Sequence, residues 1–224
     1  MIEMKSAAYS YGDELLSELN ISISQGSFYF LTGPSGSGKT TFLKMCYGSL
    51  FPTSGALTIF GKESSDLTRD EMAYLRCKNG VVHQDCQFLD NLNVNDYIAL
   101  PIMVSGQNSL SDNVNLKELL NWVGLSRRSK ALPPELSGGE RQRAALARAI
   151  IMSPDVILAD EPTGNIDWEM SQRLLRLLIE LNHMGKTIVI ATHDLNLIRF
   201  TKASVQARVL RISNKTVQLA GSDL

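Results

Sequence analysis

Three stretches of the chain are apolar almost without interruption: Phe28–Thr32, Val156–Ala159 and Thr187–Ala191. Short unbroken runs of this kind mark strands covered on both faces, the usual state of a parallel sheet. Val81–Val82 with its flanks reads as a fourth strand. Elsewhere the apolar positions recur at helical spacing, over Thr40–Tyr47, Arg141–Met152 and Trp168–Met184, the last stopped by Gly185 in the C′ position. Strand, loop and helix therefore alternate, which predicts an α/β fold around a mainly parallel sheet.

Residues 85–135 break that rhythm. They hold Asn91–Pro101, a Ser/Asn/Asp-rich loop at 105–115 and a helical run Leu116–Val123, and read as a mainly helical insertion between two core strands. Alternation around Val205–Leu219 predicts short strands or a terminal hairpin. The expected organisation is a single domain over residues 1–224, with its core in 1–84 and 136–224 and a helical subdomain in 85–135. At 224 residues, 44% hydrophobic and 20% charged, such a chain buries a substantial core without disulfides or metals.

The net charge of −1 leaves no global basic field to hold nucleic acid or an anionic membrane. Cys46, Cys77 and Cys86 are an odd number with no CxxC pair, so no disulfide framework is legible. His83, Cys77 and Cys86 match no zinc spacing. The first residues are too polar for a signal peptide, and the longest apolar runs fall far short of the ~20 residues that span a bilayer. A cytoplasmic protein is expected, reaching a membrane only through a partner.

After Phe28–Thr32 comes Gly33-Pro34-Ser35-Gly36-Ser37-Gly38-Lys39-Thr40-Thr41 and then a helix, the G-x-x-x-x-G-K-[ST] pattern in its required setting. Its glycines let backbone N–H groups close round phosphates, and the helix N-terminus favours negative charge. Lys39 would reach the β- and γ-phosphates, and the Thr40 hydroxyl would ligate Mg²⁺. Chance would produce the four fixed positions in a chain of this size about once in a hundred. Phosphate binding is the reading to carry forward.

Two further strand ends carry polar groups. Val156–Ala159 leads directly into Asp160-Glu161-Pro162, and Thr187–Ala191 into Thr192-His193-Asp194. Open α/β sheets bind ligands at the carboxyl ends of their strands, where these groups fall. Asp160 fits a Mg²⁺-holding aspartate, Glu161 a carboxylate that orients attacking water, and His193 a γ-phosphate sensor.

Leu136-Ser137-Gly138-Gly139-Glu140 precedes the helix from Arg141. Ser137-x-x-Glu140 is a capping box. Two glycines in a first turn make poor sense for stability, each costing up to ~1 kcal/mol against alanine. They make good sense if an anion must approach the backbone there.

This segment, followed by Arg141-Gln-Arg-Ala-Ala-Leu-Ala-Arg-Ala149, resembles the signature of ATP-binding cassette (ABC) ATPases. The phosphate loop, Leu158-Ala-Asp-Glu-Pro162 and Ala191-Thr-His-Asp194 stand in that family's order, and the similarity spans essentially the whole chain. The resemblance implies an ABC nucleotide-binding domain with an N-terminal β-subdomain and an inserted helical subdomain. ATP and Mg²⁺ are the implied ligands. Gln84 resembles the glutamine that contacts Mg²⁺ and reports to a membrane partner; His83 departs from the aromatic or apolar residue usual before it. Gly164-Asn165-Ile166-Asp167 resembles the D-loop, although Asp167 also suits the cap of a helix from Trp168. Tyr9 resembles the aromatic that stacks on adenine, with Tyr11 the alternative.

The resemblance further implies a homodimer that closes on ATP. Ser137, Gly138 and Gly139 of one copy would face the γ-phosphate held by Lys39 of the other. An integral membrane subunit is the implied partner, with the chain peripheral on the inner face of the membrane and no nucleic acid bound. Phe88, Leu89, Tyr97, Leu100, Pro101 and Met103 form an apolar strip, part core and part groove for that subunit. DNA-repair members of the family carry long coiled coils, which the 51 residues from 85 to 135 do not contain.

Within the family, Gly80-Val-Val-x-Gln84-Asp85, Asp96-Tyr-Ile-Ala-Leu-Pro101 and Ala191-Thr-His-Asp-Leu-Asn-Leu-Ile198 are most similar to cassettes of bacterial cell division. Cassettes of lipoprotein release and macrolide export share nearly every motif and are the alternative. Ser213-Asn-Lys215 departs from the Asp-Gly turn usual near the C-terminus.

Overall fold

The computed structural model describes residues 1–105, 110–164 and 166–220. Two long strands, β1 (Ile2–Tyr11) and β2 (Asp13–Ile23), are followed by β3 (Phe28–Thr32) and helix α1 (Lys39–Cys46). Strands β4 (Ser54–Ile59) and β5 (Lys62–Glu63) precede α2 (Arg69–Cys77), β6 (Asn79–Val82), α3 (Val94–Ser105) and α4 (Leu110–Trp122). Then come α5 (Gly138–Ile150), β7 (Val156–Asp160), α6 (Trp168–His183), β8 (Thr187–Ala191) and α7 (Leu195–Lys202). The hairpin β9 (Ala207–Ser213) and β10 (Thr216–Leu219) closes the described chain.

The strands form two sheets. The larger has the order β10-β9-β3-β8-β7-β6, parallel from β9 through β6 with only β10 antiparallel. Every residue of β3, β7 and β8 is buried, which is why these three segments lack polar alternation. One face of this sheet packs on α5, α6 and α7 through Leu146, Leu175, Leu178 and Ile198. The other packs on α1 and on the smaller, antiparallel sheet β2-β1-β4-β5, through Phe42, Met45, Leu16 and Leu57. The expected α/β fold is confirmed.

A third cluster joins α3, α4 and the inner side of α5. Tyr97, fully buried, stacks on Phe88 at 4.0 Å and receives the Arg148 guanidinium over its ring. The apolar strip thus divides, for Leu89 and Met103 stay exposed. The loop expected at 105–115 is a correction: α4 begins at Leu110, and residues 106–109 lie outside the described residues. Ser, Asp and Asn are poor mid-helix formers but favour a first turn, so their abundance there marks a helix start as readily as a loop. Among the described residues no helix is long and apolar enough to cross a membrane.

Candidate functional site

Neighbouring parallel strands end on the same edge of the sheet, so β3, β6, β7 and β8 deliver their following residues to one place. That place is a cleft of about 680 Å³ lined by Leu15, residues 33–36 and 38–41, Gln84, Asp160, Glu161 and His193. Five separate sequence segments meet there.

The loop between β3 and α1 owes its shape to glycine. Gly36 and Gly38 have φ of 76° and 101°, a region that side chains rarely adopt. At Gly38 a Cβ would also stand 3.0 Å from the buried Leu16 side chain. Helix α1 starts with no side-chain cap and no acidic residue in its first turn. By contrast, α2 and α5 both begin with complete capping boxes. The start of α1 therefore keeps open N–H groups and a positive dipole end, the physical basis of an anion site. The Lys39 ammonium donates to the carbonyls of Gly33 at 2.9 Å and Pro34 at 3.0 Å, holding the cation against the loop.

Thr40 Oγ1 donates to Asp160 Oδ2 at 2.5 Å. Burial pushes the Asp160 carboxyl above its ordinary range. The Thr40 hydrogen bond and the Lys39 charge oppose that push, while the charge of Glu161 adds to it. A buried carboxylate beside a hydroxyl, with the Gln84 amide in the same cleft, is an all-oxygen donor set. Among the described residues no group of three or more His, Cys, Asp or Glu side chains could hold a metal ion. A single carboxylate suits a cation that takes its remaining ligands from water and phosphate, as Mg²⁺ does.

Glu161 is held at every polar atom. Its N–H donates to Ala191 O at 2.9 Å, and its carbonyl accepts from the Gln142 amide at 2.6 Å and Gly164 N at 3.2 Å. One carboxylate oxygen lies 2.7 Å from His193 Nδ1 and the other accepts from Thr192 Oγ1 at 3.1 Å. Carboxylate oxygens only accept, which places the imidazole proton on Nδ1. The residue has a φ of 47°, a left-handed conformation that costs a non-glycine about 1 kcal/mol or more. Strain held by this many bonds aims the carboxylate into the cleft.

Other expected residues lie elsewhere. Ser137 caps α5, accepting from Glu140 N at 3.2 Å while Glu140 accepts from Ser137 N at 2.8 Å. Arg128 braces that carboxylate at 3.2 Å. Ser137, Gly138 and Gly139 are absent from the lining of the phosphate-loop cleft, as is Asp167, whose side chain caps α6 by accepting from Met170 N at 2.9 Å. Asn165 lies outside the described residues. Tyr9 is partly buried against the core, whereas Tyr11 is exposed at the end of β1, the two rings meeting edge to face. His83 is half-buried, edge-on to Tyr47. Burial, then the charges of Arg148 and Lys44, hold its imidazole below the usual range, and Asp160 and Asp85 offset this in part. Gln142 was not foreseen: a polar residue on a helix reads as solvated unless its partner is known.

The sequence matches the ABC transporter family over residues 16–164. The chain belongs to the ATP-binding cassette family. It is 39% identical to the cell division ATP-binding protein FtsE of Bacillus subtilis (strain 168) over 209 residues, covering 92% of each chain. It is also 39% identical to FtsE of Escherichia coli (strain K12), over 88% of each. FtsE of Mycobacterium tuberculosis shares 40%, over 88% of this cassette and 84% of that one. A solved structure of the ATP-binding cassette MJ0796, dimeric in a post-hydrolysis state with ADP and Pi, superposes with a TM-score of 0.87 at 32% identity over 97% of both chains. A second dimeric MJ0796 structure gives 0.86 at 33% identity. The protein is an ABC-type ATP hydrolase.

Proposed function

We propose that this cassette drives a bacterial cell-division complex, binding and hydrolysing ATP to signal through an FtsX-like membrane subunit to septal cell-wall hydrolases. The similarity to three FtsE proteins over most of the chain supports that assignment. The observation that carries the chemistry is Glu161, strained at the end of β7 and bonded to His193 beside the Thr40–Asp160 pair.

In this reading the phosphate loop and the start of α1 cradle the phosphates of ATP, and Lys39 swings from its loop carbonyls to the β- and γ-oxygens. Thr40, Asp160 and Gln84 would hold Mg²⁺, which neutralises charge on the β- and γ-phosphates. Glu161 orients the attacking water, and His193 holds that carboxylate while sensing the γ-phosphate. Tyr11, exposed where Tyr9 is packed inward, offers the stacking face for adenine. The exposed signature turn at Ser137–Gly139 serves a second copy. Two chains pair head to tail, each signature turn closing over the other's γ-phosphate. The dimeric state of the MJ0796 cassette supports pairing of two chains.

Membrane contact runs through the partner. A groove of about 440 Å³ between β6, α3 and α5 is walled by Val81, Leu100, Pro101 and Met152, with His83 at its side. It lies one residue from Gln84, so a segment seated there is coupled to the nucleotide cleft.

Glu161→Gln tests the chemistry. It should bind ATP, lose turnover by about 100-fold or more, and form a dimer by light scattering at high ATP; a monomer under those conditions overturns the scheme. Depleting the protein in its host tests the biology. Filaments with blocked septa and normal lipoprotein localisation support the cell-division reading. Normal division with mislocalised lipoproteins replaces it with a lipoprotein-releasing system.

A further inference from the structure

Gln142 is 1% exposed, and it lies in α5, whose other buried positions are Ala144–Ala147, Ala149 and Ile150. Burying a primary amide is unfavourable unless its bonds are made. Here only one end is satisfied: Nε2 donates to Glu161 O at 2.6 Å, while Oε1 has no hydrogen-bond partner among the described residues. A leucine or methionine would fill the site without leaving an oxygen orphaned. What the amide supplies, and an apolar side chain would not, is a donor to the carbonyl of the residue with φ of 47°.

We infer that Gln142 is a positioning residue for ATP hydrolysis, fixing the Glu161 peptide so that its carboxylate stays aligned. The inference rests on the reading of Glu161 as the residue that orients water. The Glu161 N–H is already fixed by β8 through Ala191 O. With its carbonyl pinned by Gln142 at 2.6 Å, the shorter of its two bonds beside Gly164 N at 3.2 Å, the peptide groups on both sides of Cα are held and the side chain can only leave along its own rotamers. Gln142 also stands on the helix that Ser137 caps, five residues on and about 7.5 Å along the axis. A displacement of the signature turn therefore reaches the Glu161 carbonyl through a rigid rod of helix.

The test is ATP turnover by the full chain carrying Gln142→Met, which keeps the length and removes the donor. Binding of a fluorescent ATP analogue and thermal unfolding are measured in parallel. The expected result is a fall in kcat of about tenfold or more, with KM and analogue affinity within about twofold, since a group acting only on alignment leaves ground-state binding alone. Loss of a merely structural contact would lower the melting temperature and leave kcat of the folded fraction unchanged. If Gln142→Met does not fold, Gln142→Glu, of equal size and still polar, replaces the donor with an acceptor and is measured the same way. Unchanged kcat in a folded variant overturns the proposal, as does a parallel rise in KM. Glu161→Gln is assayed alongside: if it retains turnover, the reading of Glu161 fails; if it is inactive while Gln142→Met is not, only the present inference fails.

Discussion

Thr40 and Asp160 stand 120 positions apart in the chain and 2.5 Å apart in the fold, the hydroxyl of one donating to the carboxyl of the other. The carboxyl is buried and pushed above its ordinary range, so in the absence of a cation its charge opposes folding. The sign follows: the folded state holds the proton more tightly, and stability without nucleotide falls as pH rises from the ordinary carboxylate range through the raised value. Asp160→Asn should therefore keep or raise the nucleotide-free melting temperature and flatten its pH dependence in that window. The same variant should lose Mg²⁺-dependent turnover by on the order of 100-fold. Differential scanning calorimetry across pH and a phosphate-release assay check the two halves separately.

His193 and Glu161 share one hydrogen bond of 2.7 Å, and they act as a unit if the imidazole holds the carboxylate. His193→Ala should lower turnover by about 100-fold. Combined with Glu161→Gln, it should slow the reaction no more than a few-fold beyond the slower single variant, since a shared function is lost only once. Multiplying effects would show that the two side chains work independently.

Exposure separates the two tyrosines of β1. Tyr11→Ala should weaken ATP by about 1–3 kcal/mol, the range for loss of an aromatic–base stack, with kcat at saturation unchanged. Tyr9→Ala removes a ring partly buried against the core and should lower stability by about 1 kcal/mol with little effect on KM. Nucleotide titration and urea unfolding of both variants decide the assignment; a KM effect confined to Tyr9→Ala reverses it.

The parallel strands and their polar ends were legible because burial on both faces leaves one signature in sequence, an unbroken apolar run. The N-terminal sheet leaves no such run and was implied by the family resemblance alone. In β1 the register shifts between Met4 and Ala7, and again before Tyr9 and Ser10, while Ser6 and Glu18 take φ of 47° and 48°. Each irregularity inverts the alternation of sides, so ten residues of strand never show a clean period of two. Helix α2 did carry a readable signal, the capping box Thr68-x-x-Glu71, followed by Met72 and Leu75 as its two buried positions. In the site, Lys39, Thr40 and Asp160 follow from motif and strand end together. Gln142 could not, because its significance lies in a bond to a residue 19 positions away.

The hairpin between β9 and β10 turns that reasoning into a stability prediction. Asn214 and Lys215 are the two residues between the strands, and their φ values of 49° and 64° are those of a two-residue turn with both positions left-handed. Asparagine accepts this conformation readily; lysine does not, and glycine suits the second position best. The Lys215 carbonyl also accepts from Ser17 N at 2.8 Å, tying the turn to β2, and this backbone bond does not depend on the side chain. Lys215→Gly should therefore stabilise the fold by about 1 kcal/mol, net of the greater freedom glycine has when unfolded. Because the turn is outside the nucleotide cleft, turnover should be unchanged. Chemical denaturation at constant m-value checks the gain, and a loss of stability would show that the lysine side chain makes a contribution larger than the strain it carries.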